Sequence, residues 1–317
     1  MDTCQLSRGL VPRVVLMAVD LGRSISEIVS AGERTYSFEF FPPKDEDGAT
    51  QLWQAITELE PYRPTFVSVT YGAGGGTRDV TVAITERIAR ETTMVPVAHL
   101  TCVGHTVAEL TAILDDLDAA GVRHVMALRG DPPGGPGAAW TPTEGGLTYA
   151  SELVRLIKQR AGHEVRVGVA AFPEGHIDAL SLEQDAQVLR HKYDEGAEFA
   201  ITDMVLRASD YVGLVERADA AGAVFPIIPG IMPILNLRSM QRMVELSRRE
   251  LPSELMDRLG PLAHDPAALR AEGIQIATEL CETLLEAGAP GLHFYTLNRS
   301  KATREIWANL RIEVPSS

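Results

Sequence analysis

A rhythm constrains this chain more than any single motif. Eight short apolar segments recur along it, separated by longer amphipathic ones. They are Tyr36–Pro42, Thr65–Gly72, Val95–Cys102, His124–Gly130, Val165–Phe172, Phe199–Val205, Phe225–Pro233 and Gly291–Asn298. Most are rich in Val, Ile, Phe and Tyr, and several are apolar almost throughout. Such runs suit strands of a parallel sheet, which is covered on both faces. Between them, His105–Ala120 places Val107, Leu110, Ile113, Leu114 and Leu117 on one helical stripe. Ala179–Asp194, Arg207–Ala221, Asn236–Leu251 and Pro266–Ala287 repeat that pattern. Gly121 and Gly196 follow two of these helices, where a left-handed C-cap is expected.

Eight strands alternating with helices predict a (β/α)8 barrel of the α/β class, with an open doubly wound sheet as the competitor. The barrel is preferred because polar residues end nearly every strand: Glu39, Thr70, His99, Asp131, Glu174, Asp203 and Thr296. Barrel active sites are assembled from those ends. The length of 317 residues accommodates a barrel as one domain. We expect it to span residues 23–317, with an N-terminal helix and a helical insertion, Leu251–Leu259, between strands seven and eight. Residues 1–22 read as a flexible leader without a small-residue cleavage site, and Met17 is an alternative start.

Composition excludes several classes. Lys and Arg number 29 against 43 Asp and Glu, a net charge of −14, which a polyphosphate backbone would repel. No apolar run reaches the roughly 18 residues of a membrane helix. Cys4, Cys102 and Cys281 are too few and too scattered for a disulfide framework or a zinc knuckle, which points to the cytoplasm. Small-molecule partners are therefore expected, without nucleic acid or membrane, and homo-oligomerisation is left open.

The strand ends carry the candidate chemistry. Glu39 sits in Phe38-Glu-Phe-Phe-Pro-Pro-Lys44. A carboxyl among three phenylalanines should resist ionisation, raising its pKa towards neutrality and suiting it to act as a general acid. The competing reading is a solvated glutamate at a strand end. Ser68 to Arg78 runs from a strand through Gly72–Gly76, whose amides could hold an anion at the following helix, or which could simply form a barrel loop. Gly130 and Asp131 would let a flat ring approach the backbone and meet a hydrogen-bond acceptor, or form an Asp-Pro turn. Glu174, His176, His99 and His293 match no metal-ligand spacing, so no metal is expected. Asp203 would face Glu39 and Asp131 across the barrel mouth, and three acids there would attract a cationic or proton-hungry substrate. Thr296 and Asn298 also read as caps of a final helix starting near Ser300.

Six motifs in register carry a resemblance. Phe38–Lys44, Ser68-Val-Thr-Tyr-Gly-Ala-Gly-Gly75, Ala98-His-Leu-Thr-Cys102, Leu128-Arg-Gly-Asp131, Pro226-Ile-Ile-Pro-Gly-Ile-Met-Pro233 and His293-Phe-Tyr-Thr-Leu-Asn-Arg299 resemble the single-domain bacterial type of methylenetetrahydrofolate reductase. The resemblance runs from about Tyr36 to the C-terminus. It implies a barrel enzyme that reduces 5,10-methylenetetrahydrofolate to 5-methyltetrahydrofolate, with NADH or NADPH as hydride donor and FAD as carrier. It implies Glu39 as the general acid, with Asp131 and Asp203 as the other catalytic carboxylates. Cofactor contacts fall on Thr70, Tyr71, His99, Leu128, Arg129, Gly130, Asp131, Phe172, His176, Asp185, His191 and Lys192. Substrate contacts fall on Glu39, Asp131, Asp203, Met243 and Tyr295.

The chain departs from that pattern. Asp203 replaces a folate-binding glutamine, Met204-Val205-Leu206 an aromatic run, and Ser239 and Met243 a glutamine and an aromatic residue. Val188, His191 and Phe172 stand where FAD-binding members have Asn, Arg and Tyr. Two readings remain: FAD is held by the retained contacts, or NAD(P)H passes hydride directly to a folate iminium with flavin weak or absent. A folate-binding or regulatory barrel that has lost reduction is the alternative from another class, and a metal-dependent hydrolase or aldolase a third.

Overall fold

Eight parallel strands close on one another in chain order in the computed structural model, which describes residues 24–71, 78–132, 134–135, 138–162, 164–247, 249 and 251–313. The strands are β1 (Thr35–Phe40), β2 (Phe66–Val69), β3 (Pro96–Thr101), β4 (His124–Leu128), β5 (Arg166–Ala171), β6 (Phe199–Met204), β7 (Ile227–Ile231) and β8 (Gly291–Tyr295). The seam is β1 on β8, with Ser37 opposite His293 and Glu39 opposite Tyr295. The expected barrel is therefore present, each strand lying inside its sequence-derived segment except β1, which starts one residue earlier, at Thr35. The expected leader and the glycine-rich turn Gly72–Thr77 lie outside the described residues.

The helices are α1 (Ile25–Ser30), α2 (Glu46–Leu59), α3 (Arg78–Glu91), α4 (Val107–Ala119), α5 (Ala150–Ala161), α6 (Leu182–Asp194), α7 (Ala208–Ala221), α8 (Leu237–Leu246), α9 (Ser253–Leu259), α10 (Pro266–Glu286) and α11 (Lys301–Leu310). Their starts follow capping chemistry. Ser24 and Glu27 form a capping box on α1, and Thr106 and Glu109 another on α4. Asp45, Ser181 and Asn236 accept backbone N–H bonds at the starts of α2, α6 and α8. The helix expected over Asn236–Leu251 stops at Leu246, where the Ser247 N–H closes the last turn on the Met243 carbonyl. The insertion expected at Leu251–Leu259 begins at Ser253, one residue after Pro252.

Strand alternation divides the core into two compartments. One face of each strand packs under the helices, as with Phe38, Val67, Leu100, Val125, Val169 and Phe294. The other fills the barrel, where Phe66, Val97, Met126, Phe199, Ile201 and Ile228 pack together and Ile25 of α1 joins them. The interior is thus filled with apolar side chains below, joined by the buried Ser37 and His293, and further polar groups gather above, at the strands' C-terminal ends. Among the described residues, no helix is long and apolar enough to cross a membrane.

Candidate active site

Glu39 points into the barrel, and its neighbours Phe38 and Phe40 point out. Successive strand residues face opposite sides, so the phenylalanines lie fully buried beneath the helices while Glu39 meets the polar interior. The expectation of a carboxyl lodged among benzyl rings is corrected on that ground. Its actual partners come from three strands. Ser68 Oγ donates to Glu39 Oε2 at 3.2 Å. His293 Nε2 lies 3.3 Å from the same oxygen and His99 Nε2 3.5 Å from it. Behind His293, Ser37 Oγ lies 2.8 Å from Nδ1. The Phe66 ring stacks on the imidazole at 5.9 Å and Tyr295 meets it edge-on at 5.4 Å.

These partners reverse the expected pKa direction. Burial pushes the Glu39 carboxyl up, but the His293 hydrogen bond, the His99 and His293 charges and the Ser68 hydroxyl together hold it below its ordinary 4.5. Burial in turn holds the His99 imidazole below 6.5, with Glu39 opposing and His293 reinforcing. The pKa expected to rise towards neutrality is therefore lowered: the sequence shows the adjacent apolar residues, and the barrel supplies the distant hydrogen-bonding partners.

Asp203 ends β6, but its charge is already matched. Arg249 Nη2 donates to Asp203 Oδ2 at 2.7 Å, and Arg249 Nη1 lies 3.5 Å from a Glu174 oxygen. Asp203 Oδ1 also accepts the Met204 N–H. Of the three acids expected on the rim, Asp203 thus shares a guanidinium with Glu174. Desolvation by the cavity wall pushes the Asp131 carboxyl up, Arg129 opposing and Asp203 reinforcing. Burial raises the Tyr295 phenol well above its usual range, aided by Glu39 and Asp203. Its hydroxyl donates to the Thr202 carbonyl at 2.6 Å, and Gly230 leaves room for the ring, since a Cβ there would lie 2.6 Å from it.

Beside this cluster, a cavity of about 810 Å³ opens along β3, β4, β5 and α6. Of the sequence-derived cofactor positions, Tyr71, Leu128, Arg129, Gly130, Asp131, Phe172, His176, Asp185, His191 and Lys192 line it. Gly130 adopts φ +80°, and a Cβ there would sit 2.5 Å from Val103 and 2.9 Å from Thr101, so the wall's shape requires glycine. Arg129 pairs with Asp178 at 2.9 Å and lies 5.0 Å from the Trp140 ring centre. Lys192 Nζ donates to the Ala170 carbonyl at 2.8 Å, and burial brings its ammonium down to about 8, with Asp185 opposing. The buried Thr101 hydroxyl and Trp140 indole N–H have no partner. Val188 also lines the cavity and is 47% exposed, so its apolar side chain offers nothing to a polar ligand.

The structure splits the expected residues into two groups. Glu39, His99, Asp203 and Tyr295 belong to the barrel-mouth cluster, and the cavity lining includes none of them. Thr70 lies at the end of β2, where its carbonyl accepts the Thr81 hydroxyl. Met243 packs on α8 with the cluster containing Met204, Leu206 and Tyr295. Sequence reasoning missed Ser37, Ser68 and Arg249, and met His293 only as a rejected metal ligand. For Ser37 and His293 a signal existed: Ser37 and Glu39, like His293 and Tyr295, are two apart on one strand and share a face. Arg249 offered none, because it was placed inside a helix that ends before it. Among the described residues, no group of three His, Cys, Asp or Glu is arranged to hold a metal ion.

Comparison with known proteins converges on one family. The methylenetetrahydrofolate reductase family model matches residues 24–311. The 5,10-methylenetetrahydrofolate reductase of Escherichia coli (strain K12) is 36% identical over 292 residues, covering 92% of this chain and 95% of the relative. Methylenetetrahydrofolate reductase (NADH) 1 of Arabidopsis thaliana is 35% identical over 90% of this chain, and methylenetetrahydrofolate reductase 1 of Schizosaccharomyces pombe 37% over 86%. The chain spans about half the length of those two, 50% and 45%. Among solved structures, an uncharacterised protein from Clostridium thermocellum that binds two copies of 5-methyl-5,6,7,8-tetrahydrofolic acid superimposes with a TM-score of 0.60 at 14% identity, over 89% of this chain and 96% of that one. That likeness concerns the fold.

Proposed function

The chain belongs to the methylenetetrahydrofolate reductase family, and from that premise we propose that it reduces 5,10-methylenetetrahydrofolate to 5-methyltetrahydrofolate with hydride from NADH or NADPH. One observation carries the reading: a buried carboxyl held by two imidazoles at the barrel mouth, beside a cavity near the upper end of the small-molecule range.

The chemistry asks for such a neighbourhood. The methylene carbon bridges two nitrogens and is a poor hydride acceptor. A proton delivered to one nitrogen lets its C–N bond break towards that nitrogen, leaving an iminium cation, and hydride then lands on the methylene carbon. Glu39 is the donor in reach of the mouth. The cation needs a nearby negative charge. Asp203 is paired with Arg249, and Asp131, which follows β4 on the cavity wall, is the carboxylate free of a side-chain ion pair among the described residues to stabilise it. The Tyr295 ring closes the far side against water.

The cavity residues fit a dinucleotide. Arg129 and Lys192 supply cations, Gly130 a close backbone approach, Phe172 and Tyr71 ring faces, and Thr101 and Trp140 unpartnered polar atoms. They fit FAD, which when bound stores the hydride between nicotinamide and folate. A second reading has NAD(P)H in the same cavity giving hydride directly to the iminium. The exposed, apolar Val188 and the His191 ring, 3.9 Å from Glu195 and half-exposed, favour it. An anaerobic assay of NADH oxidation with methylenetetrahydrofolate, recorded with the visible spectrum and with and without added FAD, tests the proposal. Folate-dependent oxidation is expected. Tight folate binding without oxidation would instead favour a barrel that has lost reduction. A colourless, active protein with no gain on adding FAD establishes direct transfer.

A further inference from the structure

Behind Glu39 the barrel holds a polar chain that the reaction as written does not use. Ser37, His293 and Glu39 run in sequence at 2.8 Å and 3.3 Å, all within the interior, and His293 is wholly buried. An imidazole with no exposure, sealed between the Phe66 and Tyr295 rings, is poorly placed to bind a ligand. It is well placed to share a proton with the carboxyl it touches. We propose that Glu39 and His293 hold one proton between them, with Ser37 fixing the imidazole, so that Glu39 can protonate folate at pH values where a lone carboxyl would be empty. The inference rests on the folate reduction proposed above.

The proton balance is simple. In the resting pair the shared proton lies between His293 Nε2 and Glu39 Oε2, 3.3 Å apart, while the second imidazole proton stays on Nδ1. When a folate nitrogen approaches Glu39, the proton moves from Nε2 to the carboxyl and from the carboxyl to the nitrogen, where an N–H bond forms as the C–N bond breaks. His293 is left as neutral imidazole with its remaining proton on Nδ1, which donates to the Ser37 hydroxyl oxygen, and the pair regains a proton before the next turnover. His293 does not meet the substrate; it is a positioning residue acting through Glu39. The other groups facing the pair are Ser68 from β2, His99 from β3 and the Tyr295 phenol from β8.

The sign of the test follows from counting proton sites. A proton that can reside on either of two groups is held more tightly than on one alone. His293→Gln keeps an N–H for Glu39 but cannot carry the proton. The alkaline limb of kcat should move to lower pH by about one unit or more, and kcat at neutral pH should fall about 10-fold or more with KM little changed. Lys192, whose ammonium titrates at about 8, affects both proteins alike and does not enter the difference. Ser37→Ala, a smaller perturbation, should shift the limb in the same direction by less, and serves if the glutamine variant does not fold. A limb that stays in place in both variants, whatever the fall in kcat, overturns the shared proton and makes His293 a packing residue. Wild-type protein without folate turnover overturns the underlying reading, and the inference with it.

Discussion

The barrel mouth and the cavity beside it are built on different terms. At the mouth, Glu39, Ser68, His293 and Ser37 satisfy one another inside the chain, and Tyr295 is anchored on the Thr202 carbonyl. Along the cavity, the Thr101 hydroxyl and the Trp140 indole have no partner, and Arg129 and Asp178 pair at a part-exposed edge. The first region is largely organised before any ligand arrives, although the buried His99 Nε2 there makes no hydrogen bond among the described residues; the second is completed by a ligand. The departures from the family fall on both regions, with Asp203 and Met243 near the mouth and Phe172, Val188 and His191 on the cavity wall. Glu39 keeps its place in the organised cluster, while Phe172, Val188 and His191 lie along the wall that a cofactor would cover. A preorganised acid tolerates little change, whereas a cofactor wall can lose a contact and keep working.

The contrast can be broken at several points. Glu39→Gln preserves shape and removes the proton donor. Turnover of methylenetetrahydrofolate should fall about 10²- to 10⁴-fold with melting temperature and folate affinity held, and near-wild-type turnover would remove Glu39 from the mechanism. His124, at the start of β4 and remote from the site, is a stability control. Burial, with Arg166 reinforcing, brings its imidazole from 6.5 down to about 4. The unfolded chain therefore binds a proton in that window that the folded chain refuses, and stability is lost as pH falls from 6.5 towards 4. The loss is worth up to about 3 kcal/mol. His124→Asn should flatten that part of the urea-unfolding pH profile without touching turnover; an unchanged profile would refute the assignment.

Gly130→Ala addresses the cavity wall. The positive φ and the clash with Val103 and Thr101 should cost about 1–3 kcal/mol of folding stability. Dinucleotide affinity, followed by titration, should fall, whereas a wild-type melting temperature would show the wall to be pliable. The smallest change is Val188→Asn, which restores a polar group on the cavity side of α6. One added hydrogen bond of about 1 kcal/mol should tighten FAD roughly fivefold. No gain in flavin absorbance after dialysis would mean that the cavity does not depend on that contact.

The architecture was legible because its signal is periodic and repeated: eight apolar runs and intervening stripes could close in few ways. Arg129, Gly130 and Asp131 were legible through the Leu128–Asp131 motif, and Asp185 and Lys192 through the family resemblance alone; all five line one cavity. The electrostatics were not. Phe38 and Phe40 are adjacent to Glu39 in sequence and on the opposite face in space, while His293 lies 254 residues away and touches it. Arg249, which neutralises Asp203, comes from a segment whose helical pattern continues past the helix's end. Pattern reports which face a residue takes; the charges that meet it there arrive from other strands.

The most direct test of the central claim is the amount of 5-methyltetrahydrofolate formed per NADH consumed, measured anaerobically by product separation. The account predicts equal amounts, with no NADH consumed when methylenetetrahydrofolate is omitted. NADH oxidised without methylated product, or no oxidation at all with folate bound, would contradict it.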